Sequence, residues 1–240
     1  MHAAARTNMF IMATVLALLA PASALAQRSE VEASRSEVRL ADGLLARQAD
    51  GTFGPVRFDQ ASAPFGLRHN NYVALKRPGS DGTWPGQTGA NSRGYAQFDD
   101  PAYAVSAFIE LMRIYHDRYG ARSASDIFQR YSPTGDCSGA PSVPPAQRRE
   151  GGGCPENEAQ APIGAARAAR AVGLRPGDEL DLFGPGGEIL HHDRLRALMD
   201  AVVSQEIGAP YCPQPPREES WLGCHIDDRL YQRALELPRH

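Results

Sequence analysis

Apolar residues recur at helical spacing in the second half of the chain and predict its main helices. The clearest helix begins after Asp99-Asp100-Pro101, where an Asp cap and a first-turn proline precede apolar residues at i, i+3, i+4 and i+7, and it ends at Gly120. A short helix is predicted over residues 123–131, and an Ala- and Arg-rich helix from Pro162 to residue 172. The last strong helix ends before Gly208. Its apolar stripe consists of Leu195, Leu198, Met199, Val202, Val203 and Ile207.

The remaining patterns are weaker. Residues 29–48 contain helix-forming residues and a thin apolar stripe interrupted by Gly43, and they predict a surface helix or a partly ordered lead-in. Residues 51–66 predict a loop, and residues 68–103 predict short strands and turns. A C-terminal helix is expected to pack Leu230, Ala234 and Leu237 against the domain. These patterns predict a mainly α fold with a small β-hairpin region.

The N-terminus has the three parts of a secretory signal peptide. Arg6 precedes a short apolar run over residues 9–20, and Ala24-Leu25-Ala26 offers a small-residue cleavage site before Gln27. The run is short for a membrane span, although an uncleaved anchor is the alternative interpretation. We therefore expect residues 1–26 to be removed and the mature protein to be periplasmic or secreted, without stable membrane insertion.

The charge of the chain bears on its partners. The formal net charge is −3, and loss of Arg6, the only formally charged side chain of the signal peptide, brings it to about −4. This mild acidity offers no basic footprint for nucleic acid. The sequence leaves the oligomeric state open.

The four cysteines all fall in the predicted mature part: Cys137, Cys154, Cys212 and Cys224. An even number of cysteines in an exported chain predicts two disulfides. Three pairings are possible, and the local ones close two short loops rich in Pro and Gly, of which residues 134–153 form the first. The tight Cys and His spacings of a zinc site are absent from the sequence, and we expect no metal and no cofactor.

Amide side chains and aromatic rings are concentrated between Arg68 and Tyr103. Such residues on short strands and turns suit a ligand groove better than a plain core. The candidate substrate-binding residues are Asn70, Asn71, Trp84, Gln87, Tyr95 and Tyr103.

Glu206 is the candidate catalytic carboxylate. It lies four residues after Val202 and seven after Met199, on or beside the apolar stripe of the last helix. Gly208 resembles a left-handed terminator, which puts Glu206 in the final turn. A negative helix end and apolar neighbours both raise a carboxyl pKa, as a general acid requires. The alternative interpretation is a glutamate that pairs with an arginine at the rim.

Several motifs follow one another in a recognisable order. They are R-x-N-N from Arg68, W-x-G-Q from Trp84, G-Y-x-x-F-D-D-P-x-Y-x-V-x-A from Gly94, L-x-x-x-Y-x-x-x-Y-G from Leu111 and I-x-x-R-Y-S-P from Ile127. This order resembles the phage-type lysozyme-like proteins, which are small muralytic or virion-associated proteins related in fold to lytic transglycosylases. Further parallels are Glu156-Asn157-Glu158, Leu180-Asp181-Leu182, and Glu206-Ile207-Gly208 before Pro210-Tyr211.

The resemblance implies a lysozyme-like, lytic-transglycosylase-like helical domain over residues 67–211. An N-terminal helix and lead-in would occupy residues 27–66, and a C-terminal disulfide loop and helix residues 212–240. The implied partner is peptidoglycan or a related glycan, cleaved at its glycosidic bonds.

In this family context, Glu206 would protonate the glycosidic oxygen, and Glu156 is a possible second carboxylate. The amides of Asn70, Asn71 and Gln87 would bind acetamido and hydroxyl groups, while Trp84 or Tyr95 would stack on a sugar ring. The arrangement requires the last helix to place Glu206 beside the wall formed by residues 70–87.

The chain departs from the family pattern in its ligand-facing motifs. Tyr72-Val73-Ala74 replaces a Pro-Gly-Asn turn, Ala102 replaces a glutamate, and Ile207 replaces the asparagine of E-N-G. A catalytically inactive wall-binding or structural module is therefore the alternative function. Peptide-bond cleavage is disfavoured because the sequence contains neither H-E-x-x-H nor G-x-S-x-G.

Overall fold

The computed structural model describes residues 37–79, 81–133, 155–213 and 222–238, without the side chains of residues 155–159. The predicted signal peptide, the loop 134–153 with Cys137, the neighbouring Cys154 and the side chain of Glu156 lie outside the described residues. The elements are β1 Val38–Arg47, β2 Phe53–Asp59, α1 Phe65–Arg68, β3 Gln87–Ala90, β4 Ala96–Phe98, α2 Pro101–Tyr119, α3 Ala124–Tyr131, α4 Pro155–Ala171, α5 His192–Ile207, β5 Cys224–Ile226 and α6 Asp228–Glu236.

An antiparallel sheet joins the two ends of the described chain. β1 lies in its centre, between β2 and β5, and Leu44–Ala46 pair with Ile226–Cys224. A separate antiparallel pair, β3 and β4, forms the predicted hairpin region. β1 and β5 therefore belong to one compact unit, which starts at Val38.

The prediction of a mainly α, lysozyme-like helical domain is wrong. About 41% of the described residues are helical and about 20% lie in strands, so the described part of the chain is not clearly mainly α. The surface helix predicted over residues 29–48 is replaced from Val38 onward by β1, and the loop predicted over residues 51–66 contains β2 and the start of α1. The pairing of β1 with β5 is a long-range contact, which local periodicity does not reveal.

Gly43 explains why β1 resembles a weak helix in sequence. The glycine has φ 67° and sits where the register with β2 shifts, between Leu40 and Leu45. Such an irregularity adds residues to one strand and breaks the period-two alternation of buried side chains. A Cβ at Gly43 would lie 2.4 Å from Cβ of Leu230, so the glycine also lets α6 pack closely on the strand.

The predictions for α2 and α3 are confirmed. Asp100 caps α2 by accepting from the amide of Ala102 at 2.8 Å, and Gly120 ends it with φ 63°. Ser123 and Asp126 form a capping box at the start of α3. The helix predicted from Pro162 begins earlier, at Pro155, with Pro162 in its interior.

Helix α5 crosses the core and holds β5 with polar side chains. Its predicted apolar stripe is buried. The hydroxyl of Ser204 accepts from the amide of Cys224 at 3.0 Å, and Asp200 accepts from the amide of Ile226 at 2.9 Å. Burial raises the pKa of Asp200. These bonds supply partners for backbone groups that a short edge strand would otherwise leave unsatisfied.

The predicted disulfide between Cys212 and Cys224 is present and closes a loop with a sequence separation of 12. We expect the double substitution Cys212→Ala and Cys224→Ala to lower the free energy of unfolding by about 3 kcal/mol, because the unfolded chain loses the loop constraint. Urea unfolding under non-reducing conditions measures this value. A double variant as stable as the parent would contradict the prediction.

Candidate active site

The turn Trp84–Gln87 fixes the position of the Trp84 ring. The amide of Gln87 donates to the carbonyl of Trp84, and its side-chain Oε1 accepts from the Trp84 amide at 3.0 Å. Gly86 has φ 66°, as the third position of a turn with proline before it requires. The indole Nε1 of Trp84 donates to the carbonyl of Lys76 at 2.7 Å, which ties the turn to the preceding segment.

Tyr103 supports this turn from α2. A Cβ at Gly86 would lie 2.1 Å from Cγ of Tyr103, so the ring occupies the space next to the glycine. Tyr103 lines a second cavity of about 560 Å³, with Trp84 on the boundary between that cavity and the main groove. Its structural role is therefore to hold the Trp84 turn.

Asn70 and Asn71 hold the backbone. Asn71 is fully buried, its Nδ2 donates to the carbonyls of Leu75 and Ala96, and its Oδ1 accepts from the Leu75 amide at 2.8 Å. Asn70 has φ 54° and donates to the carbonyls of Phe98 and Asp99. The structure therefore does not place these amides where sequence analysis expected them to bind sugar substituents.

Ala74 adopts a left-handed backbone conformation, with φ 49°, at the groove wall. An asparagine tolerates this conformation better than alanine does. We expect Ala74→Asn to raise the free energy of unfolding by roughly 0.5–1 kcal/mol. Denaturant unfolding checks this, with Ala61→Asn in an exposed turn of ordinary φ as the neutral control; equal effects of the two substitutions would contradict it.

A groove of about 1030 Å³ contains Glu206, Trp84 and Tyr95 together. It also contains residues that the sequence analysis did not select. Its aromatic rings are Trp84, Tyr95, Tyr115, Tyr119 and Tyr131, and its cationic side chains are Lys76, Arg77, Arg118 and Arg130. The amides of Gln160 and Gln205 complete its polar lining. The groove therefore pairs ring faces with hydrogen-bonding groups, as sites for polar ring-shaped ligands do.

The C-terminal ends of three helices converge on the groove. Tyr119 is the last residue of α2, Tyr131 is the last residue of α3, and Glu206 is in the last turn of α5. Gln205 donates to Ser132 at 3.4 Å, which joins the ends of α5 and α3. Helix C-termini carry partial negative charge, so this end of the groove favours cations and protons.

Glu206 is half-buried and lies close to Tyr131. Burial, with the charge of Glu206 as a second cause, raises the pKa of Tyr131 well above its ordinary value. The Tyr131 hydroxyl donates to the carbonyl of Val73. Tyr131 is therefore a neutral group that ties α3 to the groove wall. Among the described residues that line the groove, Glu206 is the sole carboxylate.

Tyr95 lines the groove beside the β3–β4 hairpin. Its amide donates to Oδ1 of Asn91 at 3.0 Å, and its backbone forms a β-bridge with Lys76. Nζ of Lys76 lies 5.5 Å from the centre of the Tyr95 ring. Of the predicted substrate-binding residues, Trp84 and Tyr95 line the groove, whereas its lining does not include Asn70, Asn71, Gln87 or Tyr103.

The groove residues that were not predicted from the sequence belong to two of its motifs. Tyr115 and Tyr119 are the tyrosines of L-x-x-x-Y-x-x-x-Y-G, and Arg130 and Tyr131 belong to I-x-x-R-Y-S-P. The signal that could have found them is a tyrosine or arginine near the end of each helix, next to Gly120 and Ser132. Periodicity does not identify them, because it reports only which face of a helix packs on the core.

Among the described residues, no group of three or more His, Cys, Asp or Glu side chains is arranged to hold a metal ion. Among the helices of this described part, none is long and apolar enough to cross a membrane. Comparison with protein-family models and with curated proteins finds no match to the chain.

Proposed function

We propose that this protein binds peptidoglycan glycan strands in the groove and cleaves their glycosidic bonds, with Glu206 as the acid and base. The observation that carries the proposal is that Glu206, Trp84 and Tyr95 line one groove, although Glu206 comes more than a hundred residues after the other two in the chain. The groove is also large enough for several sugar rings, since ligand pockets of roughly 300–1,000 Å³ enclose drug-sized molecules.

A single carboxylate suits the lytic-transglycosylase type of cleavage. Protonated Glu206 gives its proton to the glycosidic oxygen as the bond to the anomeric carbon breaks. The 6-hydroxyl of the same sugar then attacks that carbon and returns its proton to the Glu206 carboxylate. The products are one strand with a new free hydroxyl at its end and one strand whose new terminal sugar contains a 1,6-anhydro ring. A hydrolase of the usual kind would use a second carboxylate across the bond, and Glu156, the sequence candidate, lies outside the described side chains.

The aromatic faces of Trp84 and Tyr95 would bind the sugar rings of the glycan strand. The indole Nε1 of Trp84 is already bonded to Lys76, so the indole contributes its face to the ligand. Tyr95 presents a second ring in the same groove, on the hairpin side. Sugar rings pack on such faces through their C–H edges, which combines apolar burial with hydroxyl contacts at the rim.

The experiment that tests the proposal treats purified peptidoglycan sacculi with the mature protein and identifies released fragments by mass spectrometry. Release of fragments that each lack one water, the mark of an anhydro end, is the expected result. Release of fragments with ordinary reducing ends would instead indicate hydrolysis. Binding to sacculi without any release would favour the wall-binding module, and the absence of both would contradict the proposal.

We expect Trp84→Ala to weaken binding of a soluble peptidoglycan fragment by about tenfold, because the substitution removes a fixed ring face. Isothermal titration measures this loss. Trp84→Phe is the matched control, since it keeps a ring while removing the indole N–H, and it should retain most of the affinity. Equal losses in both variants would show that the hydrogen bond to Lys76, rather than the ring face, is what matters.

A further inference from the structure

The groove has an unusual charge for this protein. The whole chain has a formal net charge of −3. The groove nevertheless has Lys76, Arg77, Arg118 and Arg130 on its walls and Glu206 as the sole carboxylate among its described lining. A neutral glycan offers nothing that would require such an excess of cations.

The arginines of the groove differ from other arginines of the described chain. Elsewhere, Arg194 pairs with Asp181, Arg196 with Asp228, and Arg233 with both Asp42 and Asp100. Within the described residues, Arg77 and Arg118 are exposed and form no ion pair with a carboxylate. Their guanidinium groups are therefore available to a ligand.

Arg130 is held in place by an aromatic ring. Its guanidinium carbon lies 3.8 Å from the centre of the Tyr119 ring. A guanidinium that stacks by its face keeps its N–H donors at its edge, where they match the two oxygens of a carboxylate. Tyr119 comes directly after Arg118, so the two arginines are presented from adjoining helix ends, those of α2 and α3.

Compensation of helix dipoles does not account for the whole cluster. Cations in the last turns of α2 and α3 would offset the negative helix ends wherever their side chains pointed. Lys76 and Arg77, however, belong to the segment between α1 and β3 and have no helix end to offset. Cations from two different structural settings converge on one groove, which indicates that the groove itself requires positive charge.

We propose that the groove selects glycan strands that carry carboxylates, and that Arg118 and Arg130 bind these carboxylates beside the bond that Glu206 cleaves. This inference rests on the proposed function and names the substrate class of the same site. In peptidoglycan the carboxylates come from two sources: the lactyl group of a muramic acid without its peptide, or the stem peptide attached to it. The shared chemistry is a carboxylate on every second sugar, placed within reach of a bidentate guanidinium.

The test measures binding by isothermal titration in a Glu206→Gln background, which prevents turnover. Three oligomers of equal length are compared: a neutral chitooligosaccharide, a denuded peptidoglycan strand with lactyl carboxylates, and a strand with stem peptides. We expect at least one carboxylated strand to bind about tenfold more tightly than the neutral oligomer, and this preference to shrink as salt rises. The arm that shows the preference identifies the source of the carboxylate.

Substitution of the arginines tests their assignment. The double variant Arg118→Gln and Arg130→Gln should lose the preference while it keeps its affinity for the neutral oligomer. Arg118→Gln alone, which leaves the stacked pair of Arg130 and Tyr119 intact, should lose part of it. The matched control is Arg122→Gln, an exposed arginine that does not line the groove and should change nothing.

The outcomes separate this inference from the proposed function. Equal binding of neutral and carboxylated oligomers, or a preference that survives the double substitution, would overturn the inference and leave glycan binding in place. Failure of all three oligomers to bind would overturn the proposed function, and the inference with it.

Discussion

Glu206→Gln should lower the rate of fragment release from peptidoglycan by about a hundredfold or more, because a positioned acid–base group contributes roughly 10²–10⁴ to a rate. Glutamine has nearly the shape of glutamate but carries no transferable proton. The substitution removes the sole carboxylate among the described lining residues while it leaves the end of α5 intact. Initial rates of release from labelled sacculi measure the effect.

Glu110→Gln is the matched control for this experiment. Glu110 is also a half-buried helical glutamate, but it lines the second cavity and accepts a hydrogen bond from Arg113 at 3.3 Å. Its substitution should leave the rate within about twofold of the parent, since partly exposed ion pairs contribute little. A Glu206→Gln variant that is folded and keeps the parent rate would remove Glu206 from the chemistry.

Sequence patterns found the features whose cause is local. The caps at Asp100, Ser123 and Gly120 depend on neighbouring residues, and the helices they bound were predicted correctly. β1 could not be found in this way, because its central position comes from pairing with β5, about 180 residues later. The close approach of Leu230 to Gly43 is likewise a long-range contact. In the local sequence, Gly43 resembles only an interruption of a helix.

The candidate site was predictable in part for the same reason. Trp84 stands between Thr and Pro-Gly, and Glu206 lies in the last turn of a well-defined helix, so both had local signals. The cations of the groove had none, because Arg77, Arg118 and Arg130 come from separate segments and converge only in the folded chain. An asparagine in a loop suits a ligand site and a backbone clamp equally well, and only the contacts of Asn71 distinguish the two.

The segment from Asn70 to Gln87 contains both the buried backbone clamp, Asn71, and the groove residue Trp84, and the two are connected through the backbone. Asn71 fixes the carbonyls of Leu75 and Ala96, and the carbonyl of Lys76 in turn receives the indole N–H of Trp84. Tyr131 reaches the same segment through the carbonyl of Val73 and lies close to Glu206. The buried amide of Asn71 therefore holds the backbone segment that both Trp84 and Tyr131 contact.

Asn71→Ala should lower the free energy of unfolding by roughly 3 kcal/mol, because it removes three hydrogen bonds of a buried side chain at about 1 kcal/mol or more each. The amide of Leu75 and the carbonyl of Ala96 lose their bond to Asn71, and the carbonyl of Leu75 keeps only its bond from the amide of Ala96. A loss of this size is a large part of the 5–15 kcal/mol typical of a domain. Asn91→Ala is the comparison. Oδ1 of Asn91 accepts from the amides of Arg93 and Tyr95 in a more exposed turn. Because water can replace this oxygen, the free energy of unfolding should fall by only about 1 kcal/mol. Urea unfolding of both variants decides the point, and equal losses would show that the Asn71 amide holds nothing beyond its own turn.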